Sequence, residues 1–244
     1  MTENALGELR IGTSGWHYGT WRGPFYPPEA RTRDFLDLYA RRFDAVEINA
    51  SFYRLPTAQA VAAWRDAVPA NFAFAWKASR FITHFKKLRD VEDSLALVFG
   101  RMAGLAPKAG PVLFQLPPQL GPDPDRLAAF LALLPAGGRY AVEFRHPGWY
   151  EPRIFDLLAA HDVSLCLSDH AAAPAPWVVT ARHVYLRPHG PEGRYAGHYG
   201  DATLRDWAAR IAAWRAEGRS VYCYFDNDQK SAAPLDALRL KALL

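Results

Sequence analysis

Eight short apolar runs recur along the chain, and helix-like stretches separate most of them. The runs span residues 9–14, 45–51, 72–79, 111–117, 140–145, 164–169, 183–187 and 220–227. Strands that alternate with helices pair in parallel and are joined by right-handed crossovers. The alternation therefore predicts an α/β protein built on eight parallel strands.

The segment after the sixth run breaks this pattern. Residues 171–180 contain Pro174 and Pro176 and show no helical spacing of apolar side chains. Prolines spaced this closely are typical of a loop. We therefore expect the sixth helix to be short or missing.

Alternation inside the runs distinguishes a closed barrel from an open sheet. In the second run Val46 and Ile48 face one way, whereas Glu47 and Asn49 face the other. An open sheet covered by helices on both faces has nearly continuous apolar strands instead. The pattern predicts a (β/α)8 TIM-type barrel whose polar site lies at the carboxyl ends of its strands. The length of 244 residues is close to the ~250 that one such domain needs, so we expect a single domain over residues 1–244.

Composition narrows the function classes only a little. The net charge of +4 is compatible with anionic substrates or with nucleic acid and selects neither. No apolar stretch approaches the ~18 residues that a membrane span needs, and the opening residues have no signal-peptide pattern. The expected location is the cytoplasm, with no membrane partner.

Placed on a ring of eight strands, the inward side chains at the strand ends are polar or charged. They are Ser14, Glu47, Asn49, Lys77, Gln115, Glu143, Arg145, Asp169, Arg187, His189 and Asn227. Charges are rarely buried unless they are paired, because desolvation costs several kcal/mol. The set is either a site that a substrate completes or a structural ion-pair network. Strand-end polar groups in this fold are usually catalytic, which favours the first interpretation.

Glu47 and Lys77 lie on neighbouring strands, and we expect them to form an ion pair. Such a pair would keep Lys77 charged, which suits electrostatic stabilisation better than Schiff-base chemistry. The paired carboxylates Glu47 and Glu143 are also compatible with glycoside hydrolysis, which depends on a separation that sequence does not give.

Two arginines at the strand ends, Arg145 and Arg187, suit bidentate binding of a carboxylate or phosphate. Aromatic residues are dense in the neighbouring loops, and Trp16 and Tyr53 are candidate platforms for a sugar or nucleobase. The alternative is that these rings seal the barrel mouth. Basic residues beside the rings are Arg22, Arg54, Arg80, Lys86, Lys87, Arg89 and Arg194.

Metal and nucleotide signatures are weak. A divalent ion could be held by Glu143, Asp169, His189 and Asp226, whose donor types suit Mn, Zn or Mg. No histidine pair has ligand spacing, however, and no Walker A or GxGxxG loop is present. A metal is therefore not favoured, and no cofactor is indicated.

The chain resembles the domain-of-unknown-function 72 family in a series of motifs that covers essentially its whole length. The resembling segments are residues 12–16, 47–53, 74–77, 114–118, 142–147, 187–190 and 224–228. The resemblance implies a TIM-type barrel and supplies no reaction, because the family's activity is not established. Asp226 departs from the family pattern, which usually has a second asparagine there.

These observations favour an enzyme, a hydrolase, lyase or isomerase, acting on a small anionic substrate such as a sugar phosphate or nucleotide-like molecule. Glu47 or Glu143 would move a proton, Lys77 would stabilise negative charge and Asn49 would orient the substrate. The predicted substrate-binding residues are Arg145, Arg187, His189, Ser14, Trp16, Tyr53, Asn227 and Asp169. Alternatives are a nucleic-acid binding protein or metal-assisted phosphodiesterase, and a non-catalytic barrel that acts as a partner protein. The sequence indicates no oligomeric state.

Overall fold

The computed structural model describes residues 5–193 and 195–244. Two parts of the sequence lie outside these ranges. They are residues 1–4, which belong to the opening segment, and Arg194, one of the basic loop residues. The eight strands are β1 Leu9–Thr13, β2 Ala45–Ile48, β3 Ala73–Lys77, β4 Ala109–Gln115, β5 Tyr140–Glu143, β6 Val163–Ser168, β7 His183–Arg187 and β8 Ser220–Phe225.

All neighbouring strands are parallel, in the order β1-β8-β7-β6-β5-β4-β3-β2. The two end strands β1 and β2 meet through one parallel bridge between Ser14 and Glu47. The Gly15 amide also donates a hydrogen bond of 2.8 Å to the Glu47 carbonyl. The sheet is thus a nearly closed barrel, and the predicted TIM-type α/β fold is confirmed.

Helices surround the barrel. They are α1 Phe35–Ala40, α2 Ala50–Tyr53, α3 Ala58–Asp66, α4 Glu92–Met102, α5 Pro124–Ala132, α6 Pro152–Ala160, α7 Asp201–Ala216 and α8 Ala232–Lys241. Side-chain caps start two of them, because Thr57 accepts a hydrogen bond from the Ala60 amide and Asp123 accepts one from the Arg126 amide. Residues 169–182, between β6 and β7, contain no helix, so the prediction that the helix after the sixth strand is short or missing is confirmed. No helix in the part of the chain that the structure describes is long and apolar enough to cross a membrane.

The barrel has two apolar layers. Large outward residues such as Val46, Ile48, Phe74 and Trp76 pack under the helices. A smaller cluster fills the interior, and its members are Ala45, Ala75, Leu113, Ala141, Cys166, Tyr185, Tyr222 and Tyr224. Because strand side chains alternate, the next inward residues toward the carboxyl ends stand directly above this cluster. Those residues are polar.

Candidate active site at the carboxyl end of the barrel

Arg187, the last residue of β7, lies at the centre of the polar layer and is fully buried. Its Nη1 is 2.7 Å from Glu143 Oε2, and its Nη2 is 2.9 Å from both Glu47 Oε1 and Asp226 Oδ2. Nε donates to Glu47 Oε2 at 3.1 Å, and Nη2 also lies 3.0 Å from Ser14 Oγ. Burial opposes the charge, but these carboxylates raise the pKa of Arg187 well above its ordinary value.

Glu47 joins this site to the closure of the barrel. It is fully buried and accepts hydrogen bonds from the hydroxyls of Ser14 and Tyr185, the latter at 2.6 Å. Ser14 and Glu47 are also the residues that bridge β1 to β2. The same contacts therefore hold the sheet edges together and fix the carboxylate.

Glu143, at the end of β5, lies between the two arginines. Its Oε1 accepts from Arg145 Nε and, at 3.1 Å, from Gln115 Nε2, while its Oε2 binds Arg187. Burial disfavours the carboxylate, yet Arg145 and Arg187 hold the pKa of Glu143 well below its ordinary value. Glu143 is therefore ionised at neutral pH.

The tautomer of His189 follows from its neighbours. Its Nε2 lies 2.9 Å from Arg145 Nη2 and 3.1 Å from Arg187 Nη1. Guanidinium groups only donate hydrogen bonds, so Nε2 carries a lone pair and Nδ1 carries the proton. Nδ1 lies 3.2 Å from Ser168 Oγ, the inward side chain at the end of β6. Nε2 of His189 is thus placed to accept hydrogen bonds from the two arginines.

Lys77, the last residue of β3, differs from the other charged groups. Its side chain is only 5% exposed, and its Nζ stands 4.4 Å from the centre of the Phe52 ring. Within residues 5–193 and 195–244 this Nζ atom has no hydrogen bond and no ion pair, although the Lys77 carbonyl accepts a hydrogen bond from Ser51 Oγ at 2.6 Å. Burial, helped by the charge of Arg187, lowers the pKa of Lys77 to about 8.

The predicted ion pair between Glu47 and Lys77 is wrong. The strand register pairs Glu47 with Ala75, so Lys77 stands two residues further toward the carboxyl end. The carboxylate of Glu47 is taken up by Arg187, Ser14 and Tyr185. The expectation that a carboxylate partner keeps the lysine charged therefore does not hold.

Strand β8 contributes a different residue from the one expected. Asn227 is buried but donates to the Gly197 carbonyl at 2.8 Å and to Asp236 Oδ2 at 3.0 Å, away from Arg187. Asp226 takes the inward position and binds Arg187. The carboxylate that departs from the family pattern is therefore one of the partners of the central arginine.

Asp169 follows β6 and also lies outside the ring of charges around Arg187. It accepts hydrogen bonds from the backbone amide of His189 at 2.6 Å and from the hydroxyl of Tyr199. Its contact is thus with the loop that carries His189.

Asn49, Trp16 and Tyr53 line a pocket of their own, together with Tyr18 and Trp64, between the loops that follow β1 and β2. The Oδ1 atom of Asn49 is buried and has no hydrogen-bond partner among the described residues. These side chains form a second rim feature beside the charged cluster.

Most of the predicted loop aromatics seal the barrel. Trp16, Trp21, Trp149 and Tyr199 are buried, as the alternative interpretation expects. Tyr53, Phe81, Phe85 and Tyr195 remain exposed. Only the exposed rings are available as platforms.

Three residues at or near the site were not among the predicted site residues. Tyr185 and Ser168 contact Glu47 and His189, and His84 packs edge-on against Phe52 at 5.0 Å. Tyr185 is two residues before Arg187 on the same strand, so the period of a strand could have placed it inward. His84 lies in the π-helical turn Phe81–Phe85 after β3, where the period of a strand gives no signal.

The carboxylates do not form a metal centre. In the described ranges no group of three or more His, Cys, Asp and Glu side chains is arranged to hold an ion. Of the four candidate ligands, Glu143 and Asp226 bind the guanidinium of Arg187, and His189 Nε2 accepts from it. The residues therefore do not fit the suggested divalent ion.

A model of a family of proteins of unknown function, DUF72, matches residues 10–244. The chain belongs to the DUF72 family. The UPF0759 protein YecE of Escherichia coli K12 is 38% identical over 222 residues, which cover 82% of this chain and 81% of that protein. The UPF0759 protein YunF of Bacillus subtilis is 25% identical, covering 97% of this chain and 94% of that protein.

Solved structures of DUF72 family proteins have the same fold. The crystal structure from Thermotoga maritima superposes with a TM-score of 0.87 at 23% identity, covering 97% of this chain and 98% of that one. One from Enterococcus faecalis gives 0.83 at 22% identity, covering 97% and 95%. The DUF72 assignment confirms the family and the barrel, and it names no substrate.

Proposed function

We propose that this DUF72 protein is an enzyme that acts on a small anionic substrate at the carboxyl end of the barrel, by acid/base and electrostatic catalysis. The observation that carries the proposal is the buried side chain of Lys77, whose Nζ has no hydrogen bond or ion pair in the described parts of the chain. Burying an unpaired charge is costly. A negatively charged substrate group would supply the missing partner.

The contacts suggest which charged side chains bind the anion and which support the site. Lys77 and Arg145 are assigned to the anion, because Arg145 lies at the rim beside Tyr195 and retains slight exposure of 8%. Arg187 is assigned to support, since its N–H groups are taken up by Glu47, Glu143, Asp226 and other protein acceptors. This differs from the expectation that both arginines clamp the substrate.

Proton transfer needs groups that differ in acidity. Glu143, held ionised by two arginines, is suited to accept a proton or to stabilise positive charge. Asp228, in the loop after β8, is half-buried, and burial together with Asp226 raises its pKa to about 6. Such a carboxyl group is suited to donate a proton near neutral pH. Glu47 is enclosed by its partners, so we assign it to supporting the site.

The test is thermal unfolding with sugar phosphates and nucleotides at low and high salt. A ligand at a hundred times its Kd adds about 2.7 kcal/mol, equivalent to about 5 °C or more for a domain of this size. We expect a salt-tolerant shift that is lost in Lys77→Met and kept in Lys241→Met, which removes an exposed lysine on α8. A shift that survives Lys77→Met would contradict the proposal, as would the absence of any shift across both sets of ligands.

A second candidate, binding of single-stranded nucleic acid, is favoured by one surface patch. Tyr53, Phe81 and Phe85 are exposed by 63%, 49% and 66%. Arg80 lies over the Tyr53 and Phe85 rings at 5.6 and 5.5 Å, and Lys86 lies over Phe81 at 5.9 Å. Aromatic platforms interleaved with cations bind single strands without sequence preference.

Salt dependence separates the two candidates. Binding of a short single-stranded oligonucleotide should weaken steeply with salt, because affinity for nucleic acid depends on counterion release. Phe85→Ser should weaken it further without affecting a small phosphate. An oligonucleotide affinity that is unchanged by Phe85→Ser would remove this candidate.

A further inference from the structure

We propose that Lys77 is a covalent catalyst that forms an imine with the carbonyl group of its substrate. This inference rests on the proposed function and narrows its substrate class to small anionic aldehydes and ketones.

The geometry around Lys77 is that of a nucleophile. The side chain is 5% exposed, and its Nζ has neither a hydrogen-bond donor nor an acceptor among the described residues, so a deprotonated nitrogen would have its lone pair unengaged. The Phe52 ring forms one wall of the site, 4.4 Å from Nζ. A lysine becomes nucleophilic when it is desolvated or lies near another cation. Lys77 meets both conditions, through its burial and through Arg187.

Ionisation at neutral pH supports the same role. With its pKa lowered to about 8, about a tenth of Lys77 is neutral at pH 7, against less than about a thousandth of an ordinary lysine. The charged and titratable groups that act on it are Arg187, Asp226, Glu47, Glu143 and His84. The carboxylates moderate the shift without forming an ion pair in the described parts of the chain, so the small neutral fraction of Lys77 is available as a nucleophile.

His84 contacts the same phenyl ring as Lys77. Its ring packs against Phe52 at 5.0 Å, on which Lys77 also lies, and its Nδ1 is 2.9 Å from Thr83 Oγ1. Burial and the charges of Lys77 and Arg145 lower the pKa of His84 to about 4, so the imidazole is neutral.

The reaction balances without any further reagent. The lone pair of neutral Nζ adds to the carbonyl carbon, and the electron pair of the C=O bond moves to oxygen, which takes up a proton. The nitrogen gives up both of its protons, which are the two that the oxygen gains, and its lone pair forms the C=N bond as the C–O bond breaks and water leaves. One amine and one carbonyl therefore give one C=N bond and one water. Arg145 would hold the carboxylate or phosphate of the same molecule.

The test traps this bond. The full-length protein is incubated with pyruvate, glyoxylate or glyceraldehyde 3-phosphate, and sodium borohydride then reduces the C=N bond to a stable secondary amine. Mass spectrometry of the digested protein locates the adduct on the chain. We expect modification at Lys77 in preference to the other lysines, rising with pH between about 7 and 9. Lys241→Met should be trapped like the wild type, and Lys77→Arg should not.

The outcomes separate this inference from the function on which it rests. A thermal shift with phosphates or oxo acids, but no reduced adduct at Lys77, would overturn the covalent role and leave the anionic-substrate proposal in place. Adducts spread evenly over exposed lysines would overturn it too. Because the adduct is mapped in the wild-type protein, the result does not depend on how well Lys77→Arg folds.

Discussion

The two sides of the barrel mouth differ in how their buried positive charge is paired. We call the side around Arg187 the paired side and the side around Lys77 the unpaired side. At the end of β7, Arg187 is fully buried and donates to three carboxylates, from Glu47, Glu143 and Asp226. At the end of β3, Lys77 is nearly as buried, but its Nζ contacts an aromatic ring and, among the residues that the structure describes, forms an ion pair with no carboxylate. The first arrangement is complete within the protein. In the proposed function a bound anion completes the second, which would make Arg187 a supporting residue and Lys77 a reactive one.

The largest expected change in stability comes from removing Arg187 on the paired side. Arg187→Met should destabilise the protein by about 3–5 kcal/mol, because it leaves three buried carboxylates without their shared partner. Urea unfolding at pH 7 measures the change. The control Arg153→Met removes an exposed arginine paired with Asp125 and should be neutral within error. If both variants unfolded alike, the Arg187 cluster would have no structural role.

The paired side should also be sensitive to acid. Glu143→Gln should cost about 2–3 kcal/mol at pH 7, since Arg145 and Arg187 lose a charged acceptor. Because the folded-state pKa of Glu143 is depressed, its contribution is full above the unfolded value near 4.5 and is lost as the pH falls toward the folded value. Unfolding followed from pH 6 to 3 should therefore decline less steeply in Glu143→Gln. A slope identical to that of the wild type, as expected for the exposed control Glu92→Gln, would contradict the assignment.

On the unpaired side, removing the charge should raise the stability of the protein rather than lower it. Lys77→Met should stabilise the ligand-free protein by about 2 kcal/mol at pH 7, because it removes a buried charge whose pKa is lowered from 10.5 to about 8. The unfolded chain binds the extra proton between these two values, so the wild type gains stability as the pH rises through that window. The advantage of Lys77→Met should be full below pH 8 and absent above about 10.5. Lys241→Met should show no such pH dependence, and a Lys77→Met variant that is less stable than the wild type would show that the lysine is paired.

The smallest expected effect concerns one hydrogen bond of the paired side. Tyr185→Phe removes the hydroxyl that donates to Glu47 Oε2 at 2.6 Å, while Arg187 and Ser14 still bind the carboxylate. The cost should be about 1 kcal/mol by urea unfolding. The exposed Tyr53→Phe is the matched control and should change nothing. A Tyr185→Phe variant as stable as that control would show that Glu47 does not depend on the hydroxyl.

The fold could be predicted because its signals are periodic. Alternation between strands and helices, and between inward and outward side chains, marks each element locally, and the two prolines in residues 171–180 mark the missing helix. Glu143, Arg145 and Arg187 follow the same period, so their place at the carboxyl end was also predictable.

The pairing of the charges was not predictable in the same way. Whether Lys77 meets Glu47 depends on the stagger between β2 and β3, which the sequence of neither strand encodes. The phase of β8 is equally ambiguous at its end, where Asp226 and Asn227 are adjacent polar residues and only Asp226 contacts Arg187. The register between strands therefore decides that Lys77 is the charged side chain without an ion pair among the described residues. The functional hypothesis rests on that side chain.

The most direct measurement is the ionisation of Lys77 itself, followed by NMR of isotope-labelled lysine side chains as the pH is raised. The account predicts that one lysine titrates near 8, that its signal is absent from Lys77→Met, and that a bound anion moves its titration to higher pH. If every lysine of the folded protein titrated near 10.5, Lys77 would be paired or solvated, and the role proposed for the unpaired side of the barrel mouth would be wrong.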